Sequence, residues 1–322
     1  MAVRLVLAFI VAFSAAVAQA QSPVSQYPTK PVRIIIPFPP GGSNDVVGRV
    51  IAAQLGERLG QGVVIDNRGG GGGTIGINAA AKSPVDGYTL LFVSVGLPVS
   101  IALGQLPPEA LQWFVPVAAV GTGPSLLVVP QALPAHSLQE LLALAKKKPG
   151  ELNAAAAGVG SFQHLATELF RLQAGIDIVI VQYKGGGPAL TDTIAGQVQM
   201  NIGSAIQNVP HVRNGKLRAL GVGGPHRLAA LPEVPTFAEA GLPGADATNW
   251  WGIVAPADTS AAVVQRLQGD IGAIVDSPDT QKRFELEGAD VLHMTGAEFG
   301  RHIAAETVKW SRVVKQAGIK AE

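Results

Sequence analysis

The chain contains no cysteine. That excludes disulfides, thiolate metal sites and cysteine nucleophiles, and with them a lipid-modified cysteine behind an export signal. Charge is also scarce: 15% of the 322 residues are charged, and the formal net charge is +1. A dedicated nucleic-acid binder would carry a basic stripe, and none is present. The six histidines show neither H-x-x-x-H spacing nor acidic clustering, so no metal site is expected. Beyond the N-terminus, no apolar run reaches membrane length. At the N-terminus, Arg4 precedes an apolar run from Leu5 to Val17 and the small-x-small sequence Ala18-Gln19-Ala20. This is the pattern of an export signal over residues 1–20. The mature chain is expected to begin near Gln21 and to be released, unanchored, into a bacterial periplasm or the medium.

What the chain has in quantity is glycine, 39 residues, and proline, 23, placed at turns between apolar segments. From Arg33 to Gly76 the order is strand, glycine turn, helix, strand, glycine turn, helix. The strand Arg33–Phe38 leads through Pro39-Pro40-Gly41-Gly42-Ser43 into a helix over Asn44–Leu59, with Ser43 as N-cap and Gly60 as stop. The strand Val63–Asp66 leads through the glycines to a helix from Thr74. Both turns set bare amides ahead of a helix N-terminus, which favours an anion. The same module recurs at Gly158-Val159-Gly160-Ser161 and at Lys184-Gly185-Gly186-Gly187-Pro188. Alternating strands and helices imply a parallel sheet covered on both faces, and two such halves would face each other across a cleft. Strands are also expected at Val115–Val120 and Ser125–Val129, split by Gly121-Thr122-Gly123-Pro124. A capping box at Ser137 and Glu140 opens a further helix. Downstream, a short helix is expected at Phe237–Ala240 and a long final one at Gly296–Ala317.

Two enzyme chemistries are open to test on this pattern. Gly71-x-Gly73-x-x-Gly76 formally fits a dinucleotide fingerprint, but a run of five glycines satisfies many patterns. The next strand ends Phe92-Val93-Ser94 without a carboxylate, and no Walker lysine follows. Ser161, His164 and Asp192 invite a hydrolase triad, yet Gly158-Val159-Gly160-Ser161 is not a G-x-S-x-G elbow. A capping serine beside a half-buried histidine explains the pair more simply. Asp45 reads as a carboxylate that steadies its turn and helix start. Trp250 and Trp251 read equally well as core or as cleft wall. A binding protein, with no catalytic residue and no cofactor, fits better than a secreted α/β oxidoreductase or hydrolase.

The sequence resembles the Bug-type receptors, the periplasmic solute-binding proteins of the tripartite tricarboxylate transporter family. The likeness starts at Tyr27-Pro28-Thr29-Lys30-Pro31 and Pro39-Pro40-Gly41-Gly42 with Asp45. It continues through Asn67-Arg68, Asp86-Gly87-Tyr88, Gly160-Ser161, His164-Leu165-Ala166 and Tyr183-Lys184-Gly185, and closes with Val234-Pro235-Thr236 and Lys309-Trp310. The resemblance implies a two-domain periplasmic-binding-protein fold of Venus-flytrap type, type II-like, closing on a small organic carboxylate. It implies membrane subunits of a transporter, or a sensor protein, as partners, with the receptor itself a monomer. Carried over by position, it implies ligand contacts from Phe38, Gly41, Gly42 and Ser43, and from Gly72, Gly73 and Thr74. The second domain would add Gly160, Ser161, His164, Lys184, Gly185 and Asp192, with Ser94 and Ser204 at strand ends. Val99, Ser100, Ala154, Ala156 and Gln182 depart from the family pattern and bear on ligand choice. The expected domains are 27–125 plus 248–322, and 126–247.

Overall fold

The computed structural model describes residues 27–320, so the expected export signal lies outside the described residues. The first lobe begins with strand β1 (Val32–Ile36), helix α1 (Ser43–Leu59), strand β2 (Val63–Asn67), helix α2 (Thr74–Ala81) and strand β3 (Thr89–Ser94). β1 pairs in parallel with both β2 and β3, with Val32 opposite Val63 and Ile35 opposite Leu91. Side chains alternate across a strand. Ile34 and Ile36 therefore join one core cluster with Val47, Ile51 and Leu55 of α1, while Ile35 joins another with Ile77 of α2. Gly60, left-handed at φ 62°, ends α1 as expected. The start differs from expectation: the cap is Gly42, and Ser43 is the first helical residue with no capping hydrogen bond from its side chain.

A short helix α3 (Gly96–Ala102) leads to strand β4 (Phe114–Pro130), 17 residues long. The sequence predicted two strands with a break at Gly121–Pro124, but the chain runs straight through. Those glycines serve close approach rather than a turn. A Cβ on Gly121 would lie 2.6 Å from the Phe284 ring, and one on Gly123 3.2 Å from the Trp251 ring. Up to Pro124, β4 pairs antiparallel with strand β9 (Thr248–Pro256). From Ser125 onward its partners are strands β7 (Met200–Ser204) and β8 (Leu217–Gly223) of the second lobe.

In that lobe, helix α4 (Leu138–Lys147) begins at Ser137, whose side chain accepts from the Glu140 amide. Strand β5 (Asn153–Ala156) then pairs in parallel with strand β6 (Val179–Gln182) and with β7. Helices α5 (Phe162–Ala174), α6 (Gly186–Ile194) and α7 (Ala205–Arg213) each begin at the cleft. α7 was not anticipated, because Pro210 inside it is a helix breaker by composition. Phe237–Ala240, predicted as a helix, is a hydrogen-bonded turn, with the Ala240 amide donating to the Thr236 carbonyl. After β9, helices α8 (Ala261–Val275) and α9 (Pro278–Leu286) and the short strand β10 (Asp290–Val291) return to the first lobe. The final helix α10 (Gly296–Ala317) opens with a capping box of Thr295 and Glu298, packs on α3 and β4, and also touches α5.

Candidate functional site

Between the lobes lies a cavity of about 40 Å³. The first lobe contributes Phe38, Gly42, Ser43, Asn44 and Ser94 to its wall, and the second contributes Ala157, Ser161, Phe162, Gln163, Gly186 and Gln207. Asn249, on β9, completes it. The cavity is small because the lobes meet backbone to backbone. A Cβ added to Gly42 would lie 3.6 Å from the Gly186 Cα, and one added to Gly41 3.3 Å from the Gly187 Cα. A second such seam brings Gly72 against the Val159 carbonyl, with a Cβ there only 2.5 Å from it. Glycine at these places lets the two lobes close with nothing between their loops.

Among the described residues, none that lines the cavity carries a charged side chain. The electrostatics come from the backbone instead. The first residues of α1, α5 and α6 all line the cavity: Ser43 and Asn44, Phe162 and Gln163, and Gly186. Amides in a helix's first turn have no intrahelical acceptor, and the helix dipole adds positive potential there. The arrangement therefore attracts an anion without a lysine or arginine clamp.

The loop that carries Phe38 and Gly42 is tied down by Asp45, itself buried. Its Oδ2 accepts from the Gly41 amide and from Arg49 Nε, both at 3.0 Å, and its Oδ1 accepts from Asn67 Nδ2 at 3.0 Å. Asn67 Nδ2 also donates to the Phe38 carbonyl at 3.0 Å. Burial alone would raise the Asp45 pKa, but the hydrogen bonds from Arg49, Gly41 and Asn67 outweigh it and hold the carboxyl below its ordinary value. Asn44 is held between Trp251 Nε1, which donates to its Oδ1 at 3.1 Å, and Ser94 Oγ, to which its Nδ2 donates at 3.2 Å. Trp251 is thus core, placed behind the cavity wall. Trp250 is core as well, with its Nε1 donating to the buried Glu306 at 3.1 Å.

The profile of the tripartite tricarboxylate transporter family receptors matches residues 47–319. The chain belongs to that receptor family. The receptor is 40% identical to Protein BugT of Bordetella pertussis over 304 residues, covering 93% of each chain. Among solved structures it is similar to a Rhodopseudomonas palustris protein with adipate, at 35% identity and TM-score 0.88, covering 91% of this chain and 99% of that one. It is also similar to MatC of the same organism with bound malate, at 31% identity and TM-score 0.84, covering 89% and 100%. The α/β fold with its cleft between two lobes is therefore that of the periplasmic binding proteins of this receptor type.

Of the residues named from sequence, the receptor brings Phe38, Gly42, Ser43, Ser94 and Ser161 to the cavity wall. Gly41 sits behind that wall. Gly72 and Gly73 form the second lobe-to-lobe seam and the rest for the Phe38 ring, and the Thr74 hydroxyl is turned back onto the Gly71 carbonyl at 2.8 Å. Ser161 caps α5 and accepts from the His164 amide at 3.2 Å. The His164 imidazole does not face that hydroxyl: its Nδ1 accepts from the Gly160 amide at 3.2 Å, closing the glycine turn. Asp192 lies in an outer groove, where Tyr183 donates to it at 2.8 Å. Burial and that bond push the Tyr183 phenol up to about 12, so it stays a donor at neutral pH. Lys184 is exposed. Gly185 packs on Pro39, and Ser204 reaches the site only through Asn249, whose Nδ2 donates to it at 3.3 Å. Ala154 and Ala156 are buried in the second lobe's sheet and do not line the cavity, so they leave its wall unchanged.

Sequence reasoning missed the four side-chain amides of the wall, Asn44, Gln163, Gln207 and Asn249. Asn44 and Gln163 carried a signal, since each lies within two residues of a predicted helix start beside a glycine turn. Gln207 did not, because its helix was not predicted. Asn249 reaches the site only through the pairing of β9 with β4.

Proposed function

We propose that this receptor captures a small carboxylate-bearing organic anion between its lobes in the periplasm. It presents the closed complex to the membrane subunits of a tripartite tricarboxylate transporter or to a sensor protein. The observation that carries the reading is the convergence of three helix N-termini on a cavity with no charged side chain in its wall among the described residues. Such a site balances a carboxylate through amides and offers no carboxylate of its own to balance a cation. The relatives solved with adipate and with malate support the same class.

The domains proposed are 27–125 with 248–322, and 126–247. The change of pairing partner at Pro124 and Ser125 on β4 supports the first boundary, and the Ser125 amide's bond to the Ala247 carbonyl supports the second. Removal of residues 1–20 on export is part of the same proposal.

Thermal unfolding of the purified mature chain against a panel of small mono- and dicarboxylates tests the reading. A true ligand at a hundredfold excess over its Kd stabilises the folded state by about 2.7 kcal/mol and raises Tm accordingly. If no carboxylate moves Tm while a nicotinamide dinucleotide does, the receptor reading fails.

A further inference from the structure

The two loops that meet over the cavity build a second concavity on the outside of their seam. Gly42 and Gly186 line the cavity. Their neighbours Gly41 and Gly187 line an outer groove of about 640 Å³. Pro40 and Gly41 form its first-lobe wall, and Tyr183, Pro188, Asp192 and Ile194 stand on the second-lobe side. The two walls touch, since a Cβ on Gly187 would collide with the Pro40 carbonyl. The groove is therefore one surface only while the lobes are closed. With the lobes apart, Pro40 and Gly41 leave with the first lobe and the groove loses a wall.

Its lining is apolar around one charge. Pro40 and Pro188 are exposed, and Tyr183 and Ile194 are half-buried. Asp192 is half-buried as well, so its carboxylate keeps access to the groove. Its Oδ2 accepts from the Tyr183 hydroxyl at 2.8 Å. Among the described residues no lysine or arginine lines the groove. His211 also lines it, and burial together with Lys216 lowers its pKa, so near pH 7 the imidazole is neutral and leaves the negative charge uncancelled. Proline, tyrosine and isoleucine around an open carboxylate suit a protein segment that brings a cationic side chain among apolar ones.

Resting on the carboxylate-receptor reading above, we propose that a membrane subunit of the transporter docks in this groove by setting a lysine or arginine on Asp192. A subunit that needs both walls engages the closed, loaded receptor and passes over the open one, because its affinity differs between the two forms. Asp192 then serves recognition and not capture, in keeping with its place outside the cavity wall.

Uptake by whole cells tests this. The bacterium that makes the receptor, deleted for its own copy, is given wild type, Asp192→Asn or Thr191→Arg, and is fed the radiolabelled carboxylate that most raises Tm. Asparagine keeps an acceptor for Tyr183 and removes the charge. Thr191 is exposed and lines the groove, so arginine there both fills it and repels a cation. Calorimetry on the purified variants is expected to give carboxylate affinities close to wild type, while uptake falls about tenfold or more. Uptake retained in either variant overturns the proposal and leaves the carboxylate reading intact, since the ligand still binds. Affinity lost in step with uptake also overturns it, by moving Asp192 into ligand binding. If the acid drives wild type, but not the variants, into dimers in sedimentation, the occupant is a second copy and the membrane-subunit assignment fails. It fails too if wild type supports no uptake. If no carboxylate raises Tm, the receptor reading falls with it.

Discussion

Asn44 shows how much one side chain can tie together. It lines the cavity, accepts from the buried indole of Trp251 on β9 and donates to Ser94 at the end of β3. Asn44→Ala leaves a buried indole N–H without a partner, and it should cost about 1–3 kcal/mol in urea unfolding as well as weakening ligand binding. Asp45, its neighbour, acts at one remove. Its carboxylate holds the Gly41 amide and Asn67, so Asp45→Asn should loosen the Phe38–Gly42 loop at a cost of about 1–2 kcal/mol near neutral pH. Because the folded pKa of Asp45 lies below its ordinary value of 3.8, this stabilisation is full above that value and is lost as the pH falls through the folded one. The stability gap between wild type and Asp45→Asn should therefore shrink on acidification below about pH 4, as urea titrations across pH 3–7 would show. Asp45 was legible as a turn-steadying carboxylate because all its partners but Asn67 are within four residues. The bond from Asn67 was not, since it depends on β1 and β2 pairing.

At the scale of elements, the glycine loops are the parts whose sequence spoke most clearly and whose purpose was only half told. Four glycine turns before helix starts announced an anion site. Their second use, as faces that touch across the cleft, needed the lobes in place. Gly187 makes the point. It lies in the first turn of α6 with ordinary helical backbone, so alanine is compatible with its local conformation, yet its Cβ would collide with the Pro40 carbonyl and sit 3.3 Å from the Gly41 Cα. Gly187→Ala should leave the melting temperature of the ligand-free protein nearly unchanged but weaken ligand affinity at least tenfold by holding the lobes apart. Calorimetry with the best-binding carboxylate would show it, and unchanged affinity would mean that the lobes need not meet here. Ser161 is the contrasting case, a cap fully readable from sequence. Ser161→Ala should cost about 1 kcal/mol through α5 alone, with a further loss of affinity because the residue also lines the cavity.

For the whole molecule, strand β4 runs from the first lobe into the second, and the chain returns to the first lobe at the start of β9, where Thr248 pairs with Pro124, so the proposed closure would bend the chain at these two places. Small-angle scattering should show the ligand-free protein to be more extended than the liganded one, whose profile should match the closed form described here. Identical profiles would count against hinge closure as the event a partner recognises. The amino-acid sequence by itself determined what is local. It set the alternation of strand and helix, the turns and caps, the absence of thiolate chemistry, and the family, because these depend on a few neighbouring residues and their order. The tertiary structure alone decided that Gly121–Pro124 is passed without a break, that α7 exists despite Pro210, and that the cavity wall is built from Asn44, Gln163, Gln207 and Asn249. Those amides come from segments as much as 205 residues apart in number, so which of their atoms are satisfied by each other is decided only when the sheet brings them together.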